Sequence, residues 1–396
     1  MELEELLTIA DNKLLKVTNR PDIIMSSGKG MYLFDISGNK YLDFIGGWAV
    51  NSLGHSPSII ASTLAKQSST LVNSSPSFFN LPMLEYAELL TNYCCFERVF
   101  FASTGAEANE GAIKLARKFG TLCKDGASDI ITTQLGFHGR TLATMSATGK
   151  EQWETLFEPK PKGFQKAIFN DFESIKKLVT ENTCAIMFEP VQGEGGVNVA
   201  TKEFVTKTRE LCDKENILLI FDEIQTGMGR TGKLFCYEHY GIEPDIMTLG
   251  KGIGGGFPLS ALLAKEKLNI FDPGDQGGTY TGQPLAMAVG IAVLEEILDK
   301  NLVEHSQKMG EFIKSQLAEL SEHYEISNIR GEGLLIAFDL LETEGADLVT
   351  NCLKKALLIN SPKKMSIRLM PPLIVTKTEI REMLLILKQN LKKTTK

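Results

Sequence analysis

The sequence predicts an α/β protein, with a large domain built on a mixed, mostly parallel sheet and a smaller α/β domain assembled from both chain ends. Three observations lead there. Short β-rich apolar runs alternate with stretches of helical spacing from Arg98 onward. One pair of those runs is joined only by a glycine-rich loop. A chain of 396 residues also exceeds one compact core, so a second, smaller unit is expected.

Taken in chain order, Met1 to Leu7 is acidic and lacks the basic segment and apolar core of a secretory signal. Ser37-Gly38-Asn39 reads as a turn in a turn-rich N-terminal segment. Arg98 to Ser103 reads as a strand, and Ala108, Ala112, Leu115 and Phe119 then recur at helical spacing. Ile130 to Thr133, Ala185 to Phe188 and Ile217 to Phe221 are further buried strands, with a helix expected over Lys202 to Lys214. Ile246 to Leu249 and Leu259 to Ala264 should pair antiparallel, because a parallel crossover needs about a dozen residues or more. The last hundred or so residues turn to long helical stretches, followed by Ile367-Arg368-Leu369 and Pro371-Pro372. The expected division is residues 1–60 and 301–396 in the small domain and 61–300 in the large one.

Composition narrows the function. Hydrophobic residues make up 43% and charged residues 23%, ordinary for a water-soluble globular chain. A net charge of -7 and a pI near 5.5 argue against nucleic acid or an anionic membrane surface, which call for a positive field. No apolar run approaches the roughly 18 residues of a spanning helix. The 7 cysteines are odd in number and contain no CxxC pair, although Cys94 and Cys95 are adjacent, which points to a reducing, cytoplasmic compartment.

Several motifs carry less than their spacing suggests. Gly227-Met228-Gly229-Arg230-Thr231-Gly232-Lys233 has P-loop spacing, but Leu234 stands where magnesium binding needs Ser or Thr. Gly250-Lys251-Gly252-Ile253-Gly254-Gly255 satisfies GxGxxG, yet it runs on through Gly256-Phe257-Pro258 into a strand, not into a helix that could hold a pyrophosphate. The five histidines, His55, His138, His239, His305 and His323, show no metal-ligand spacing, so no metal site is expected.

The chemistry gathers elsewhere. Ser103-Thr104-Gly105-Ala106-Glu107 sits where a strand turns into a helix; free backbone N–H groups and small residues there suit a phosphate, and a plain capping box of Thr104 and Glu107 is the competing reading. Asp222 closes a buried strand at its carboxyl end, where α/β sheets place ligands, and a buried carboxylate calls for a cation. Lys251 follows the next strand. It could merely neutralise Asp222. A phosphate cradle, an acid and an amine on successive strand ends are, however, the three things pyridoxal 5'-phosphate (PLP) requires: an anchor, a partner for the pyridine nitrogen and a Schiff-base lysine. Phe137, after another strand, could cover the ring face, or could simply belong to the core.

Together, Ser103-Thr104-Gly105-Ala106-Glu107-Ala108-Asn109-Glu110, Phe137-His138-Gly139-Arg140-Thr141, Glu189-Pro190-Val191-Gln192-Gly193-Glu194-Gly195-Gly196, Asp222-Glu223-Ile224-Gln225-Thr226-Gly227 and Leu249-Gly250-Lys251-Gly252 resemble class III aminotransferases. The likeness runs from the N-terminal segment to Arg368. It implies the fold type I architecture of PLP-dependent transferases, a homodimer with active sites at the interface, and roles for named residues. Lys251 would bind the cofactor aldehyde and then move a proton between substrate and cofactor, while Asp222 would keep the pyridine nitrogen protonated. Thr104, Gly105 and Ala106 would hold the phosphate, Phe137 would stack on the ring, Gln225 would reach the phenolic oxygen, and Thr279 would reach the phosphate from the partner subunit.

The same resemblance bears on substrate. Phe-His-Gly-Arg is similar to the acetylornithine group, whereas ornithine aminotransferases usually carry Trp in place of His. Arg140 would grip the carboxylate remote from the reacting amine. Arg368 would bind the α-carboxylate of glutamate, and Glu194 would pair with Arg368 when an ω-amine enters. The implied reaction moves an amino group between N-acetylornithine and 2-oxoglutarate, in arginine biosynthesis. Ornithine, succinylornithine or 4-aminobutyrate as donor, and a semialdehyde aminomutase, are the alternatives. Many relatives read Gly-Ser-Thr-Phe-Gly-Gly-Asn-Pro where this chain has Gly277-Gly278-Thr279-Tyr280-Thr281-Gly282-Gln283-Pro284, so a serine contact to substrate is missing at Gly278. Trp48 replaces what is often a smaller aliphatic residue.

Overall fold

The computed structural model describes residues 2–394. At its centre lies a seven-stranded sheet in the order Arg98–Ala102, Ser260–Ala264, Ile246–Leu249, Leu218–Asp222, Thr183–Phe188, Asp129–Thr133 and Phe164–Ala167. Neighbours pair parallel except at Ser260–Ala264, which is antiparallel to both strands beside it. The short glycine-rich connection after Leu249 thus does what its length requires. Phe164–Ala167, an edge strand with only two apolar residues, is one the sequence did not signal.

Alternate residues of the central strands enter different cores. Leu219, Phe221, Ile186 and Phe188 join one apolar cluster, while Leu218, Ile220, Ala185 and Met187 join another. Both faces of the sheet are therefore covered, and this is why its strands read as continuous apolar runs with no polar alternation. The helix Gly105–Cys123 lies against the second cluster through Ala112, Ile113, Leu115, Ala116 and Phe119. Because the parallel strands share a direction, Ala102, Thr133, Phe188, Asp222 and Leu249 all end on one edge of the sheet, and the segments that follow them converge there.

The chain ends build smaller sheets. Met25–Lys29, Tyr32–Asp35 and Lys40–Asp43 form an antiparallel meander to which Leu357–Leu358 adds in parallel. Ile326–Glu332, Leu335–Leu340, Ser366–Leu369 and Asn360–Lys363 form a second, antiparallel sheet. Arg368 lies on its third strand and is fully buried. Between these parts, Gly46, Gly47, Trp48 and Ala49 all have φ between 58° and 68°, a left-handed turn that two glycines make affordable and that costs strain at Trp48 and Ala49.

Candidate active site

A cavity of about 470 Å³ opens at the carboxyl edge of the central sheet, within the range of small-molecule sites. Its lining includes Gly105, Ala106, Phe137, Asp222, Gln225 and Lys251, together with Thr104 and Arg140. Eight of the residues singled out in the sequence therefore meet in one place although they come from four separate segments.

At its floor lies Asp222, 3% exposed. Oδ2 accepts hydrogen bonds from Asn109 Nδ2 at 2.8 Å and His138 Nδ1 at 2.7 Å, and Oδ1 accepts the Ile224 N–H at 3.1 Å. Since a carboxylate can only accept, His138 carries its proton on Nδ1 in this contact. Among the described residues, Nε2 of His138 is buried without a partner. Asn109 is itself tied on its other side, taking a hydrogen bond from Thr248 Oγ1 at 2.7 Å. Three of the roughly four acceptor positions of the carboxylate are filled, which leaves one for a ligand N–H on the cavity side.

Lys251 follows Leu249 through Gly250 and adopts φ 47°, a left-handed conformation that costs of order 1–3 kcal/mol in a non-glycine residue. Gly250 fits because a Cβ there would lie 3.0 Å from Ile224 Cγ2. Burial lowers the Lys251 ammonium below the usual lysine range, against the pull of Asp222 and Glu189. Glu189, 5% exposed at the end of its strand, holds the Phe137 N–H at 2.8 Å and the Gly193 N–H at 3.3 Å. Burial, and then the nearby Asp222 charge, push its carboxyl up to about 8.

At the helix start both readings of the Ser-Thr-Gly-Ala-Glu motif hold at once. Thr104 Oγ accepts the Glu107 N–H at 3.3 Å while Glu107 takes the Thr104 N–H at 2.8 Å, a full capping box. That box uses the N–H of Glu107 and leaves those of Gly105 and Ala106 without a protein acceptor among the described residues, on the positive end of a 19-residue helix. A Cβ on Gly105 would come 2.8 Å from Ile224 Cδ1. The residues present thus fit PLP: two free N–H groups for a phosphate, an acceptor at Asp222 for the pyridine nitrogen, an amine at Lys251 and a ring face at Phe137.

Cations and rings gather beside the cavity, where its Phe137 and Arg140 meet Lys150 and Trp153 of the neighbouring cleft. Phe137 and Trp153 lie 5.9 Å apart, with the Arg140 guanidinium 5.2 Å and 5.7 Å from their centroids and the Lys150 ammonium 5.0 Å from each. Arg140 is exposed and pairs with no carboxylate among the described residues. Arg368, by contrast, is spoken for: NH2 contacts Glu194 Oε1 at 2.8 Å and Asn360 Oδ1 at 2.7 Å, and NH1 reaches Gln225 Oε1 at 3.5 Å. Burial alone would raise the Glu194 carboxyl, but Arg368 overcomes it and holds the group below its ordinary value. The Trp48 ring lies 5.5 Å from the Arg368 guanidinium.

Two predicted residues stay apart. Gly278 and Thr279 are exposed in a turn and do not line the cavity of their own chain. Other residues were not singled out from the sequence. Glu189 ends a buried apolar strand just as Asp222 does, and that position was its signal. Asn109 lies on the apolar face of its helix beside Ala108 and Ala112, where a buried amide demands partners. Lys150 and Asn360 meet the site only through tertiary contacts.

Comparison with known proteins agrees with this geometry. The family model for class-III aminotransferases matches residues 15–391. An acetylornithine aminotransferase of Ralstonia nicotianae is 51% identical over 386 residues, covering 96% of this chain and 97% of that protein. Acetylornithine aminotransferase 2 of Bordetella pertussis is 49% identical over 94% of this chain and 95% of its own length. Among solved structures, an ornithine aminotransferase from Toxoplasma gondii superposes with a TM-score of 0.94 at 30% identity, covering 98% of this chain and 94% of that one.

Proposed function

This chain belongs to the class-III aminotransferases, and on that premise we propose that it moves an amino group from N-acetylornithine to 2-oxoglutarate, giving N-acetylglutamate semialdehyde and glutamate. Its cofactor is PLP, which supplies an aldehyde that takes up an amine and a protonated ring that draws electrons from the carbon bearing it. Arginine biosynthesis is the setting this reaction serves.

The chain's own residues divide the work. Lys251, with its ammonium depressed by burial, reaches the neutral form at a lower pH than a free lysine, so it can take a proton from the substrate carbon and return it to the cofactor. Asp222, fixed by Asn109, His138 and the Ile224 N–H, would hold a proton on the ring nitrogen. Gly105 and Ala106 would anchor its phosphate, Gln225 would reach its phenolic oxygen and Phe137 would cover its ring.

The observation that carries the substrate reading is the contrast between the two arginines. N-acetylornithine reacts through its δ-amine and needs a guanidinium for a remote carboxylate; Arg140 is open to bind it. Glutamate reacts through its α-amine and needs Arg368, which Glu194 covers. Glu194 therefore has to leave Arg368 in one half of the cycle and return in the other. A donor panel with 2-oxoglutarate as acceptor tests the assignment: N-acetylornithine should give the highest kcat/KM for glutamate formation, and faster turnover of ornithine, succinylornithine or 4-aminobutyrate would replace it. Product formed without any keto acid would point to an aminomutase.

The working unit in this reading is a homodimer in the cytoplasm. Val72, Phe78, Phe79, Leu81 and Leu84 form a stretch of exposed apolar side chains of the kind an interface covers, and Thr279 would then reach the phosphate of the neighbouring copy. Sedimentation at micromolar concentration checks this, with a monomer as the contrary result. All seven cysteines are unpaired. Among the described residues no helix is long and apolar enough to cross a membrane.

A further inference from the structure

We propose that Lys150 is the second cation of the Glu194 switch: it receives the Glu194 carboxylate when Arg368 turns to the α-carboxylate of glutamate. The inference rests on the toggling role given to Glu194 above. It starts from a difficulty in that role. Glu194 has only about a quarter of its side chain exposed, so a carboxylate released from Arg368 with no new partner would remain in a poorly solvated place, which is costly. Arg368 itself loses less, since its Nε and NH2 keep Asn360 Oδ1 at 3.1 Å and 2.7 Å.

The structure holds a partner ready. Lys150 Nζ already lies 3.6 Å from Glu194 Oε2 while Oε1 faces Arg368 at 2.8 Å, so one carboxylate spans two cations. A small shift of Glu194 toward Lys150 would exchange the short contact for the long one without passing through an unpaired state. Lys150 is held for this by ring faces, with its ammonium 5.0 Å from both Phe137 and Trp153. No ion pair joins the other cation over those rings, Arg140, to Glu194 among the described residues. Lys150 is thus a positioning residue, acting through Glu194 and not on the reacting atoms.

Single-turnover kinetics of the holoenzyme, followed by the change in cofactor absorbance, separate the two half-reactions. Lys150→Met should lower kcat/KM for the glutamate half-reaction roughly three- to tenfold, as expected for losing one partly exposed ion pair, and leave that for N-acetylornithine within about twofold. Lys150→Arg should restore the glutamate value. In a Glu194→Gln background, Lys150→Met should change neither half-reaction, because the residue through which it acts no longer carries charge. Equal losses in both half-reactions, or a full effect of Lys150→Met without Glu194, would overturn the proposal. If Glu194→Gln alone leaves the ratio of the two half-reactions unmoved, the toggling role itself fails, which is a separate result.

Discussion

The floor and the mouth of the cavity are built on opposite principles. At the floor, Asp222, Asn109, His138 and Thr248 are almost wholly buried and each is held by a hydrogen bond from a strand end or a long helix, so their geometry has one solution. At the mouth, Arg140, Lys150 and Glu194 stand on connecting segments, partly exposed, and share partners: two cations over two rings, one carboxylate between two cations. Chemistry common to both half-reactions is placed where nothing moves. Recognition, which must serve two different substrates in turn, is placed where exchange costs little.

That contrast predicts how variants will fail. Floor variants should damage both half-reactions together, and mouth variants should separate them. Lys251→Ala is the most severe: turnover should fall by roughly 10⁴-fold or more in each half-reaction, because the proton-moving amine is gone. The fold should persist, since removing the side chain also removes a desolvated ammonium. Near-native circular dichroism with normal turnover would refute the role of Lys251.

Asp222→Asn comes next, with an expected loss of about a hundredfold in kcat for both half-reactions. An amide cannot serve all three donors. With its oxygen toward Asn109 and His138, its NH2 meets the Ile224 N–H, so a stability loss of about 1–3 kcal/mol should accompany the kinetic one. Arg140→Ala should behave as a mouth variant: KM for N-acetylornithine should rise about tenfold or more, for loss of a bidentate carboxylate contact, with kcat little changed. A fall in kcat of the same size without a change in KM would move Arg140 from recognition to catalysis.

How legible each region was in the sequence follows from the same difference. The floor is written into local pattern: apolar strands ending in Asp222 or just short of Lys251, and a strand turning into a helix at Thr104, are all readable because the chain itself sets the direction of parallel strands. The antiparallel strand Ser260–Ala264 was readable from loop length alone. Glu189 satisfied the same rule as Asp222 and was passed over, as was Asn109 on its helix. At the mouth the resemblance supplied Arg140, Glu194 and Arg368, but Lys150 and Trp153 lie in a segment with no periodic signal. The contact between Lys150 and Glu194 exists only after the sheet has brought their loops together. The edge strand Phe164–Ala167 was invisible for a related reason, since its Gln165 and Lys166 break the apolar run that marks its neighbours.

The smallest expected effect concerns pH and comes from a floor residue that takes no part in recognition. Glu189 has its carboxyl pushed up to about 8 by burial, whereas an unfolded glutamate titrates near 4.3, so between those values the folded chain binds one more proton than the unfolded chain at this site. The contribution of this site to stability then decreases as pH rises from about 5 to 8, the reverse of the usual paired carboxylate. Glu223, also buried and pushed up to about 8, adds to the slope in the same sense. Its backbone partners at Cys236 and Tyr237 lie outside the cavity, so it serves as the internal control. Glu189→Gln should make Tm fall less, or rise more, between pH 5 and pH 8 than it does in the parent, with the contribution of Glu223 left in place. Thermal melts of the cofactor-free protein across that range decide the matter, and an unchanged slope in Glu189→Gln would mean that the residue stays ionised beside Asp222.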